Sequence, residues 1–172
     1  MKKYTLPFSL AAVVLALDVV TKVAVRESLA LYQHIEIIPG YFNLVHVLNK
    51  GAAFGILSDE SIDWQRAFLI ATACLAVGVI VYMIHVGHAR ERFGAIGLGL
   101  VLGGALGNLA DRIREGYVTD FLDFYANGWH WPAFNVADIG ISCGVCLLII
   151  SFYIAERRTK RDDADQNRPE DA

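Results

Sequence analysis

The chain has 172 residues, 55% hydrophobic and 19% charged, with a formal net charge of −3 at pH 7. That is too apolar for an ordinary soluble domain of this length, and the lack of a basic excess excludes a nucleic-acid partner. Its three cysteines, Cys74, Cys143 and Cys146, lie in apolar runs, and an odd count there does not suggest a disulfide framework.

A bilayer-spanning helix needs about 20 mostly apolar residues. The first such stretch covers residues 6–25 and is interrupted by Asp18 and Lys22, an i,i+4 pair suited to one helix face. Lys2 and Lys3 before it, and Ser28-Leu29-Ala30 after it, resemble a cleavable signal peptide, but the two charges between run and site argue for a retained span. Residues 26–63 form an outer segment. Its stretch YFNLVHVLNKGAAFGIL is β-branched and carries an Asn-Lys-Gly turn signal, so short strands are expected within 31–57. Ser58 or Asp59 can then cap a short helix over 58–65, with Trp64 in the interface belt.

The second span is 64–85 and the third is 93–113, rich in glycines that permit close helix approach in lipid. Residues 114–135 form a second outer segment, whose FYANGWHWPAF has an interfacial composition. The fourth span is 136–155, and a disordered tail is expected over 156–172. Residues 1–155 thus make one four-span domain. Lys2, Lys3, Arg90, Arg92, Arg157, Arg158, Lys160 and Arg161 lie on the side of the termini, which the positive-inside rule makes cytoplasmic.

Ionisable residues within spans mark functional sites by default, since insertion costs about 2.5–3.5 kcal/mol each. Asp18, Asn108, Asp111 and Asp138 fall near the outer ends of spans one, three and four, and Asp120 lies in the loop returning to Asp138. The topology therefore converges these groups on one face. Asp120 and Asp138 can form a dyad in which one carboxyl keeps a proton while the other acts as base. Such a pair can activate water against a peptide carbonyl and protonate the leaving nitrogen. Asp138 opens a helix, where the dipole favours an anion. Arg112 offers a planar fork to brace Asp111 or hold a carbonyl.

Other classes have less support. Cys143-Gly-Val-Cys146 begins five residues into span four, at lipid depth, where small packing residues are expected rather than a redox pair. The five histidines show no metal spacing, and neither metal nor cofactor is expected. A proton or ion carrier could use the intramembrane acids, with dimers forming through the glycine face of span three.

Five motifs in order, DVVTK (18–22), NKGAAFG (49–55), GNLADR (107–112), VTDFLDF (118–124) and FNVAD (134–138), resemble those of lipoprotein signal peptidases, bacterial membrane aspartic proteases. The resemblance implies an all-α membrane fold: four transmembrane helices, a small periplasmic β-cradle and a short interfacial helix. It implies that Asp120 and Asp138 are the catalytic pair. Asp18, Lys22, Asn49, Gly51, Asn108, Asp111, Arg112 and Asn135 would support the dyad or bind the substrate backbone. It further implies cleavage of diacylglyceryl-modified prolipoproteins before the lipidated cysteine, in the bacterial inner membrane, with both termini cytoplasmic and the site periplasmic. Membrane lipid is an implied partner, and no obligate protein partner is. Val19 and Leu109 depart from residues frequent in that family, Gln and Asn respectively, at positions outside the dyad.

Overall fold

The computed structural model describes residues 2–51, 64–88 and 91–166. Along the chain come α1 (Lys2–Ser28), β1 (His34–Ile38), β2 (Phe42–Asn49), α2 (Gln65–Val86), α3 (Arg92–Arg114), β3 (Val118–Ala126), β4 (Trp129–His130) and α4 (Val136–Gln166). All four expected spans are helices long and apolar enough to cross a membrane. The short interfacial helix expected over 58–65 falls mostly on residues 52–63, which lie outside the described residues, as does the end of the strand region after Gly51.

α3 is the centre of the bundle. Its most apolar 18-residue window is 67% buried, against 11% for α2, so α2 gives most of its surface to lipid. The glycines explain how α3 can be central. A Cβ on Gly99 or Gly103 would fall against Pro7, Ala11 and Val14 of α1, and one on Gly97 or Gly104 would meet Gly144, Ala137 and Ile141 of α4. In lipid, backbones approach only where side chains are this small. The glycine face of α3 is therefore used within the chain, against α1 and α4. Ala11, Ile80, Ile84, Ala95, Leu98 and Leu102 fill the apolar core between α1, α2 and α3.

α1 packs on α3 and buries Asp18 and Lys22 completely. α2 ends at Gly87, whose φ of 105° is open to glycine and lets its N–H bond back to the Met83 carbonyl. The end of α3 is closed by another helix: Arg66 donates to the carbonyls of Arg112 (3.2 Å) and Ile113 (2.9 Å). Gly116, at φ +85°, then turns the chain into β3.

The sheet is antiparallel in the order β1-β2-β3-β4. β2 ends at Asn49, where the Asn-Lys-Gly signal predicts a turn. A bulge between Leu44 and Val47 shifts the β2–β3 register, so that Val47 faces Asp120 and Asn49 faces Val118. At the bulge, His46 Nδ1 donates to the Leu29 carbonyl (2.9 Å), tying β2 to the end of α1. Phe121 of β3 packs on Val25 and Leu29, which seats this strand on α1. The sequence reading of 114–135 found interfacial aromatics but no strands there. The missed signal is Asn127-Gly128, with φ of 52° and 80°, the positive-φ pair that closes a two-residue hairpin between β3 and β4.

α4 departs from expectation at its far end. The chain does not become a disordered tail at Glu156; the helix continues to Gln166. Charged side chains sustain it beyond the span: Lys160 pairs with Glu156 one turn back (2.6 Å), Arg158 reaches Glu91 (2.9 Å), and Arg157 lies over the Tyr153 ring. Residues 167–172 lie outside the described residues. Cys143 and Cys146 also differ from expectation. Both are exposed on the helix surface, and Gly144 between them makes the close contact with α3.

Candidate active site

The sheet-bearing end of the bundle gathers polar groups from every neighbouring element. Asn135 is the residue before α4 and its N-cap. Its side-chain Oδ1 accepts from the Asp138 N–H (3.1 Å), and its own N–H donates to Asp138 Oδ2 (3.2 Å). This reciprocal pair is a capping box, with aspartate in the third helical position. The second free N–H of the first turn, that of Ala137, donates to Asp18 Oδ1 from α1 (2.9 Å). α4 is thus started by its own cap and by a carboxylate from another span.

Because Asn135 uses its oxygen on the cap, its Nδ2 points the other way. It donates to Asp120 Oδ1 (2.6 Å) and to Asn108 Oδ1 (3.3 Å). Asp120, only 3% exposed, receives its second bond from Asn49 Nδ2 (3.0 Å) at the end of β2. Asp138 receives its second from Asn108 Nδ2 (2.8 Å) on α3. The two carboxylates are therefore linked through one residue, the Asn135 side chain reaching Asp120 and its backbone N–H reaching Asp138, with the amides of Asn49 and Asn108 on either side. Burial, and then the neighbouring charge of Asp138, push the Asp120 carboxyl up to about 6, against the opposing bonds from Asn49 and Asn135.

Beneath the pair lies a buried cation. Lys22 Nζ sits 2.7 Å from Asp18 Oδ2, 3.0 Å from Asp111 Oδ2 and 3.0 Å from Asn108 Oδ1. The ammonium has no acceptor, so it holds Asn108 with its oxygen toward Lys22 and its Nδ2 toward Asp138. Two carboxylates also neutralise a charge that could not be buried alone. Gly107 leaves the space for this arrangement, since a Cβ there would strike Asp18 Oδ2. Arg112 bonds to the Asn108 carbonyl at 3.5 Å and to the Gly51 carbonyl at 3.1 Å, and Gly51 N–H donates to Asn49 Oδ1 at 3.0 Å. The turn after β2 is thereby fastened to α3.

All ten residues singled out in the sequence belong to this one network. Two participants were missed. Arg26 donates to Thr119 Oγ1 (3.3 Å) and lies 3.7 Å from Asp111 Oδ1, while Thr119 N–H points to Asp111 Oδ2 (3.4 Å). Arg26 stands four residues after Lys22 on the same helix face, a spacing that could have flagged it. Asp123, in the same run as Asp120, is held by Asn43 (2.9 Å) and His130 (2.9 Å) and takes no part in this network. Among the described residues, no three His, Cys, Asp or Glu side chains are grouped as a metal site.

The fold and site define a small multi-pass membrane protein with Asp120 and Asp138 in one hydrogen-bonded network at one end of its helices. Comparison with known proteins narrows this. The Signal peptidase (SPase) II family matches residues 10–154. A lipoprotein signal peptidase of Maridesulfovibrio salexigens is 52% identical over 153 residues, covering 89% of this chain and 98% of that protein. One of Geobacter metallireducens is 44% identical over 152 residues, covering 88% and 93%. A bacterial membrane enzyme solved by the in meso method at 2.3 Å resolution superposes with a TM-score of 0.77 at 28% identity, covering 96% of this chain and 93% of that one. The chain belongs to the signal peptidase II family and is a peptidase of the membrane.

Proposed function

We propose that this peptidase removes the signal peptide of diacylglyceryl-modified prolipoproteins, cutting before the lipidated cysteine, with Asp120 and Asp138 as its catalytic pair. The observation that carries this reading is Asn135, which donates to the buried carboxylate of Asp120 through its side chain and to the carboxylate of the part-buried Asp138 through its backbone N–H. Burial and the neighbouring Asp138 charge raise the Asp120 carboxyl to about 6, which supports Asp120 as the proton donor of the pair. Asp138 sits on the first turn of α4, where the helix end favours an anion, and acts as the base.

The step balances within the pair. Asp138 takes a proton from a water molecule as its oxygen attacks the scissile carbonyl carbon, and Asp120 donates its proton to the carbonyl oxygen. Collapse of the tetrahedral intermediate breaks the C–N bond: the proton gained by Asp138 passes to the leaving nitrogen, and the proton on the former carbonyl oxygen returns to Asp120 as the C=O bond re-forms. Lys22, Asp18 and Asp111 hold Asn108 in place. Asn49, Gly51 and Arg112 line the approach from β2 and present backbone-binding groups to an extended substrate.

The orientation follows from charge. Arg92, Arg157 and Arg158 lie at the opposite end of the helices from the dyad, which by the positive-inside rule supports a site on the periplasmic side of the bacterial inner membrane, with both termini cytoplasmic. Cleavage of a lipidated precursor by Asp120→Asn and Asp138→Asn variants tests the assignment. Each is expected to lose activity while remaining folded, and full activity in either sinks it.

A further inference from the structure

The sheet carries an aromatic surface that takes no part in the carboxylate network. Tyr41, Phe124, Trp129, Trp131 and Phe134 line a groove of about 410 Å³ that has no charged side chain in its wall. Phe124 stacks between Phe42 (4.8 Å) and Phe134 (5.8 Å), and Trp129 meets Trp131 edge-on at 5.9 Å. Despite these contacts the rings stay open: Tyr41 is 64% exposed, Trp129 63% and Trp131 47%. On the far edge of the same sheet, Ile35, Ile37 and Ile38 are exposed as well. Contiguous apolar surface of this kind marks a docking site for protein or membrane.

Position and composition identify the occupant. Phe134 stands two residues before Val136, where the α4 span begins. Two extended residues reach about 7 Å, so the Phe134 end of the groove lies within about 7 Å of the point where the α4 span begins. Tyrosine and tryptophan, with an apolar body and one polar tip, are the side chains that settle at headgroup level.

We propose that this groove is seated in the headgroup–acyl boundary of the membrane, and that lipid is its occupant. The seat sets the height of β3. Phe124 lies four residues after Asp120 on that strand, and Phe134 lies four residues before Asp138. Both arms of the dyad are then referenced to one lipid level, which fixes the depth of the scissile bond beside a lipid-anchored cysteine. That consequence rests on the proposed function; the lipid seat does not.

Fluorescence separates the two. In a Trp64→Phe background the remaining tryptophans, Trp129 and Trp131, report on the groove. The full chain is reconstituted in phosphatidylethanolamine–phosphatidylglycerol vesicles whose acyl chains carry bromine either near the headgroup or near the methyl end. Stronger quenching by the shallow bromine is expected. No quenching by either places the groove in water, and stronger quenching by the deep bromine places it in the hydrocarbon core; both overturn the seat. Blue-shifted but unquenched emission marks a protein, such as a second copy, in the groove and overturns it too. The height claim is tested with Trp129→Ser/Trp131→Ser on a lipidated precursor. Cleavage in vesicles is expected to fall about tenfold relative to cleavage in detergent. Equal rates in vesicles and detergent, or equal losses in both, overturn the height claim while leaving the quenching result to stand by itself.

Discussion

Asn135 and Asp138 grip each other at the start of α4, each donating its backbone N–H to the other's side chain, at 3.2 Å and 3.1 Å. The same asparagine reaches Asp120 with its remaining donor. A helix cap and the bridge between two carboxylates are therefore one residue. Asn135→Ala is expected to cost about 1 kcal/mol of stability, as a lost cap does. It is expected to slow cleavage far more, by about 100-fold, because Asp120 loses a donor that orients it and the Asp138 N–H loses its cap. Thermal unfolding and cleavage rate measured on one sample check whether the two losses part in this way.

The protonation of Asp120 gives a pH signature. Its carboxyl rises from the ordinary 3.8 to about 6, so the folded chain retains a proton that the unfolded chain releases. The stability tied to that proton is full at low pH and is lost as pH rises through about 6. Activity that needs the proton falls along the same limb. Asn49 stabilises the charged form by donating to Oδ2, so Asn49→Ala is expected to move the limb upward by roughly 0.5–1 unit. A pH–rate profile of kcat/KM checks it, and an unmoved limb would assign that titration to another group.

Lys22 is completely buried between Asp18 and Asp111. Lys22→Met leaves two carboxylates facing each other without a cation, a change expected to cost about 3–5 kcal/mol. Adding Asp111→Asn to that variant removes one of the stranded charges and is expected to recover part of the loss. Unfolding of both variants in detergent measures this; a single variant as stable as the parent would remove Lys22 from the network.

The glycines of α3 and α2 are expected to behave oppositely. At Gly104 a methyl group would meet the Ala137 carbonyl and Ile141, whereas at Gly78 nothing lies within 4 Å. Gly104→Ala is expected to destabilise by about 1–3 kcal/mol through overpacking. Gly78→Ala is expected to be neutral or to stabilise by up to about 1 kcal/mol through helix propensity. Thermal melts of the two variants, side by side, decide it.

The chain alone determined the four spans, because each must present about 20 apolar residues whatever its neighbours do. It also marked the polar residues of the network, since charge in a span is costly enough to stand out. It placed Asp120 and Asp138 as partners through topology and the order of motifs. Only the tertiary structure decided the rest. Which way each asparagine amide faces depends on donors and acceptors from other elements: Lys22 turns Asn108, and the α4 cap turns Asn135. Arg26 and Thr119 are ordinary residues in sequence and gain their roles only where α1, α3 and β3 meet. The glycines of span three could have faced another chain, and packing against α1 and α4 gave them their use. The extension of α4 beyond Ala155 rests partly on Arg158 meeting Glu91, a contact between helices that no local pattern contains.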